Sequence, residues 1–232
     1  MKPLAHTDLV DQFSALTQKF AEMANQEGFP IRAFANDYPF YFAQLDSATQ
    51  ERTLHHFKVY VEVCQETLSS GNPLRNDKSL FWYMLVRIKA RPTSDLLSHI
   101  EEGDCIEIYN MESVQIFRNM IFMGYCSYTL DDLLCRPWFD LYHREDAINE
   151  HLMGCAGQIF SGKCRNTIFP DLPPYNVTEI ASEMKRLASV RSKLVSPLWE
   201  TSTHQLIGFV HVVSALSVVD TENKGHRSSI PH

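Results

Sequence analysis

The sequence predicts an α+β protein: an all-α amino-terminal region, then an antiparallel sheet with short helices on one face. Three observations carry this prediction. Apolar residues recur at helical spacing through most of residues 7–97. Past residue 103 the pattern changes to two short strand-like runs, CIEIY and VQIFR, joined by the turn NMES. Two longer runs, SVRSKLVSPLWE and LIGFVHVVSAL, follow a block of short helical pieces. Strands on either side of a block of helices argue for a segregated α+β layout rather than alternating βαβ units.

In the first helix, Thr7 reads as the N-cap. Leu9, Phe13, Leu16, Phe20 and Met23 form its apolar stripe, and Gly28 stops it. Residues 29–39 hold two prolines and several aromatics, and read as a loop packed onto something. Ser47 and Gln50 have capping-box spacing at the start of a second helix. Its face is Leu54, Phe57, Val61, Cys64 and Leu68, and Gly71 ends it. A third helix, capped at Asn76-Asp77, is apolar nearly all round and is expected to be buried; Arg91-Pro92 breaks it. A short linker helix follows at 94–100. After the first hairpin come helical pieces from 119 to about 161 and a proline-rich loop. NVTEIASEMKRLA (176–188) reads as a capped helix. The expected units are a helical region (1–97), a sheet-containing domain (98–219) and a disordered polar tail (220–232).

With 232 residues, 44% hydrophobic and 11% aromatic, the chain can bury a sizeable core. Its net charge of −7 and the absence of a basic stripe argue against a nucleic-acid partner. Lys185-Arg186 with Arg191 and Lys193 is its densest basic cluster and reads as a solvated face. The start, MKPLAHTDLVDQF, is no signal peptide, and the apolar run 208–219 is too short to span a bilayer. The six cysteines make no C-x-x-C pair, so free thiols in a reducing cytoplasm are expected. Asn176-Val177-Thr178 matches a glycosylation acceptor by chance in that setting.

No phosphate-binding, dinucleotide, zincin or nucleophile-elbow motif occurs. A cysteine-dependent enzyme would have to use Cys135 with His143, or Cys155 with His151. His55-His56 with Glu51 and Glu62 offers two ligands on a helical face, short of a closed metal site. The residues therefore point to a non-enzymatic protein.

From Asn119 to Asp146 the chain carries an ordered pattern: Asn119, Phe122, Ser127-Tyr128, Thr129, Leu130, Asp131-Asp132, Leu133-Leu134, Cys135, then Arg136-Pro137-Trp138-Phe139 and His143-Arg144-Glu145-Asp146. This pattern resembles that of PAS domains, a family of sensory modules in signalling proteins. Ser127 and Cys135 stand where the family prefers glycine, and Arg144 where it prefers proline. An extra segment, about 163–188, replaces the short strand of typical members. Locally, Thr129 can cap a one-turn helix whose dipole Asp131 and Asp132 complement.

The resemblance implies a ligand space between sheet and short helices. Candidates to line it are Phe122, Tyr125, Tyr128, Trp138, Phe139, His151, Cys155, Trp199 and Phe209. A flavin adduct is not expected, because Pro137-Trp138-Phe139 stands where such sensors carry the reactive cysteine. A haem sensor would use His151. A small organic ligand, or an empty core, is the preferred reading. The implied function is a signalling or regulatory protein that senses a small ligand or partner and relays it, through the linker helix, to the amino-terminal helices. Self-association through those helices or the outer face of the sheet is expected as well. The alternative is a ligand-free module that docks proteins.

Overall fold

A computed structural model describes residues 6–220 apart from Ser113, Ala181 and Glu183; the side chains of His6, Thr7 and Phe139 and the tail from 221 lie outside the described residues. Helix α1 (His6–Gln26) buries Leu9, Phe13 and Phe20, with Leu16 and Met23 half-buried at the edges of the stripe. Gly28, at φ +88°, takes the left-handed conformation that ends it. A one-turn 3-10 helix, Phe42–Gln44, interrupts the loop that follows.

Helix α2 (Ser47–Ser69) begins one residue earlier than its Ser47/Gln50 pattern implies. Asp46 is the cap, its Oδ1 accepting from the Thr49 amide at 3.0 Å. Gln50 is fully buried and donates Nε2 to the Phe42 carbonyl at 2.9 Å, so it ties the 3-10 turn to α2 instead of closing a capping box. Helix α3 (Asp77–Arg87) is capped by Asn76, whose Oδ1 accepts from Ser79 N. Full burial was expected here, yet Trp82 and Val86 are more than half exposed. Leu80, Phe81, Met84 and Leu85 fill the contact with the core, which leaves the opposite face to solvent.

Asp77 itself is buried and its Oδ1 has no hydrogen-bond partner. Burial pushes its carboxyl up to about 7, although the Asn119 side chain and the Ile121 amide favour the ionised form. The unfolded chain releases this proton near pH ~4. Between those two values the native chain binds more protons, so stability falls as pH rises through that window and levels off above it. Asp77→Asn is expected to flatten this slope. It should gain on the order of 2 kcal/mol at pH 8 and almost nothing at pH 4, read from urea midpoints.

Lys89, at φ +52°, ends α3 before Ala90, and strand β1 (Ala90–Arg91) pairs with the far end of the sheet. The expected linker helix is a single 3-10 turn, Leu96–Ser98, anchored by the fully buried Leu96 and Ile100. Strands β2 (Asp104–Asn110) and β3 (Gln115–Arg118) form the first hairpin. Helices α4 (Met120–Tyr125), α5 (Leu130–Cys135) and α6 (Trp138–Leu141), strand β4 (Tyr142–His143) and helix α7 (Asp146–Phe160) follow. Strands β5 (Tyr175–Glu179), β6 (Arg186–Glu200) and β7 (Leu206–Asp220) complete an antiparallel sheet of order β3-β2-β7-β6-β5-β4, with β1 also on β6.

The helix expected over 176–188 is therefore a strand and a turn. Asn176 and Glu179 have capping spacing, but Val177 and Thr178 are β-branched and pair with Ala188 and Leu187. Glu179 is buried and accepts from Ser127 N at 2.6 Å, from Ser182 Oγ at 2.7 Å and from Arg186 N at 2.8 Å. A carboxylate fixed by that many donors holds the turn between β5 and β6 and cannot serve a helix N-terminus.

The central part of the sheet is covered on both faces. Ile106, Ile108, Leu194, Leu198, Val210 and Val212 share one continuous core with Phe13, Phe57 and Phe81 of the amino-terminal helices. Phe117 sits between Tyr60 and Phe81, with ring centroids at 5.4 and 6.0 Å. The central part of the outer face therefore packs against the amino-terminal helices in one shared core, while Leu216 and Val219 toward the end of β7 are exposed. The opposite face turns toward Phe122 and Tyr125 of α4, Trp138 of α6 and helix α7, while α5 packs with α2 and the 3-10 turn Phe42–Gln44.

Candidate ligand cavity

Strand alternation builds the wall of a cavity between the inner face of the sheet and the short helices. Cys105, Glu107 and Tyr109 share that face of β2, and Phe209, His211, Val213 and Ala215 share it on β7. The register sets Glu107 opposite His211 and Tyr109 opposite Phe209, whose rings stack at 5.0 Å. Phe122 and Tyr125 of α4, Trp138 of α6, Tyr142 of β4, Arg144, and Leu152, Met153 and Ala156 of α7 close the other side. The cavity, open to solvent on one side, has a volume of about 150 Å³, and its lining is mostly apolar.

Of the residues proposed from sequence, Phe122, Tyr125, Trp138 and Phe209 meet at this cavity. Tyr128 is buried but belongs to the frame: its hydroxyl donates to the Leu141 carbonyl and accepts from Ile180 N at 3.0 Å. Cys155 packs with Tyr109 and Phe209 in a neighbouring cluster of buried residues. His151 is exposed on α7. Trp199 lines a separate depression with Arg91, Cys164 and His204. Phe139 is on α6, with its side chain outside the described residues.

The polar part of the wall was not anticipated. Glu107 is buried, and its Oε1 accepts from Gln115 Nε2 at 2.7 Å. Its Oε2 lies 3.1 Å from His211 Nδ1 and accepts from Tyr109 Oη at 3.3 Å. His211 Nε2 is 2.8 Å from Ser192 Oγ. Burial alone would raise the Glu107 carboxyl, but the His211 hydrogen bond and charge, with Arg118 and Arg144 nearby, outweigh it and hold the group below its ordinary value. Burial pushes the phenols of Tyr109 and Tyr142 and the Cys105 thiol well up, and the Cys126 thiol up to about 11. Arg144 stacks over Trp138, 4.7 Å from the ring centre. Its Nε is buried without a hydrogen-bond partner, and the buried Tyr142 hydroxyl has the Cys126 thiol beside it but no oxygen or nitrogen partner.

Compared with protein-family models and with curated proteins, the chain matches none. What the site can do must be read from its own groups.

Its thiols are poor nucleophiles, because burial raises Cys135 and Cys155 as well as the wall cysteines. Haem does not fit the residues present. His151 is outside the wall, and both nitrogens of His211, the histidine in the wall, are engaged by Glu107 and Ser192. No group of three or more metal-ligating side chains occurs among the described residues. No helix among them is long and apolar enough to cross a membrane. The arrangement suits non-covalent binding of a molecule with an apolar body and a polar head.

Proposed function

We propose that this chain is a non-enzymatic regulatory protein with a PAS-like domain, in which a small organic molecule in the cavity biases the packing of the short helices. The amino-terminal helices then read that bias. The cavity carries this reading: protein interiors close to near-crystalline density, so an aromatic-lined space with an unpaired buried donor calls for an occupant. Strands β2–β3 and β6–β7 in one sheet, with helices α4, α6 and α7 on one face, support the PAS-like assignment. A relay route is available through α5. Asp131 accepts from the amides of Tyr41 and Phe42, both at 2.9 Å, so the block containing α4 and α6 is fastened to the loop before α2. A ligand that prefers one arrangement by about 1–3 kcal/mol would suffice to couple the two regions.

Native mass spectrometry with an absorbance scan tests the reading. A retained small molecule, or a thermal upshift with added aromatic compounds, is expected for the wild type. Both should be lost in Ala156→Trp, which fills the cavity from α7. A clean protein that no compound stabilises, and that still engages a protein partner, would replace this reading with a docking role.

A further inference from the structure

We infer that the cavity selects monocarboxylates: an aromatic or aliphatic body against the ring-lined wall, and a single carboxylate held by the Arg144 guanidinium and the Tyr142 hydroxyl. This rests on the cavity being the ligand site. Tyr142 and Arg144 are two residues apart on an extended segment, and both line the cavity. Arg144 Nε is buried without a partner, and the Tyr142 hydroxyl has the weakly hydrogen-bonding Cys126 thiol beside it, which leaves its proton available to a better acceptor. Donors left unpaired in an apolar wall are costly, and an acceptor on the ligand removes that cost.

The neighbouring charges narrow the class. An amine would seek Glu107, but Gln115, His211 and Tyr109 already surround that carboxylate. A doubly charged phosphate would face the ionised Glu107 with one guanidinium in the cavity wall, Arg144, to balance both. A single carboxylate matches a planar guanidinium and leaves the Glu107 network undisturbed. Trp138 holds the Arg144 plane from one side, which preorganises the fork before the ligand arrives. Arg144 is also one of the chain's departures from the PAS pattern, so this anchor belongs to this chain's own residues.

The test uses two matched trios on the full chain: 4-phenylbutyrate with its amide and its amine, and octanoate with its amide and its amine. Binding is followed by calorimetry and thermal shift. The acids are expected to bind at least tenfold tighter than the amides, and the amines weakest. Arg144→Met, which keeps a stem against Trp138, should bring the acids down to the amide level, and Tyr142→Phe should cost several-fold. Circular dichroism and the unliganded Tm establish that both variants fold. Acids and amides binding alike, or an acid preference that survives Arg144→Met, overturns the carboxylate assignment and leaves the cavity as the ligand site. No binding by any of the six at millimolar concentration, with wild type and Ala156→Trp behaving alike, overturns both.

Discussion

Gly208→Ala is expected to destabilise the protein by about 3 kcal/mol, a Tm loss on the order of 8 °C for a chain of this length. A Cβ at position 208 would lie 2.0 Å from the Tyr109 carbonyl oxygen and 3.1 Å from Asn110 Cα. These are backbone atoms of the paired strand β2, with no flexible tip to move aside. Gly208 pairs with Asn110, next to the Tyr109–Phe209 stack, so relief of the clash must part β2 from β7 at the cavity wall. Weakened binding of any cavity ligand should accompany the lost stability. Gly157→Ala is the control. It lies in α7 with open space around its would-be Cβ, and alanine is the better helix former by up to ~1 kcal/mol. Urea unfolding reads both; an unchanged midpoint for Gly208→Ala would mean that the two strands approach less closely than described.

Much of the architecture is legible in the sequence because local and global signals agree. The stripe of α1, the face of α2, the first hairpin and the long β6–β7 pair all follow from periodicity and turn residues. Residues 176–188 depart from their own capping spacing for a definite reason. Capping spacing is a local signal, and the buried partners of Glu179, above all Ser127, come from a distant part of the chain. Helix α3 shows the converse, since composition alone does not say which face meets a neighbour, and Trp82 ended on the free one.

For the site, counting aromatics located Phe122, Tyr125, Trp138 and Phe209 but missed the chemistry between them. A signal existed. Cys105, Glu107 and Tyr109 alternate onto one face of an otherwise apolar strand, as do Phe209, His211 and Val213. A glutamate and a histidine each centred on such a face require partners, and the register makes them each other's. Tyr142 and Arg144 gave no comparable warning, because their donors stand out only once the walls around them are placed.

The acidic pair of the PAS-like stretch divides its work in a way that sequence spacing does not reveal, and this yields the second large expected effect. Asp132 serves its own helix: Thr129 and Asp132 form a reciprocal capping box, and Arg136 pairs with Asp132 at 2.9 Å. Asp131 reaches out of its helix to the amides of Tyr41 and Phe42. Phe42 is fully buried and stacks on Phe13 of α1 at 3.9 Å, so those two hydrogen bonds hold the floor of the amino-terminal core. Asp131→Ala leaves two buried or half-buried amide donors without an acceptor, at a cost of about 3 kcal/mol. Asp131→Asn keeps one oxygen and is expected to lose about half as much. The main-chain pairing of Leu130 and Asp131 with Arg32 and Ala33 survives both changes, so the loop should loosen without detaching. Faster amide exchange at Tyr41 and Phe42 and faster proteolysis within 36–44 should accompany the lower urea midpoint. If exchange there is unchanged while the midpoint falls, Asp131 acts only within α5, and the mechanical link between the cavity helices and the amino-terminal core lies elsewhere.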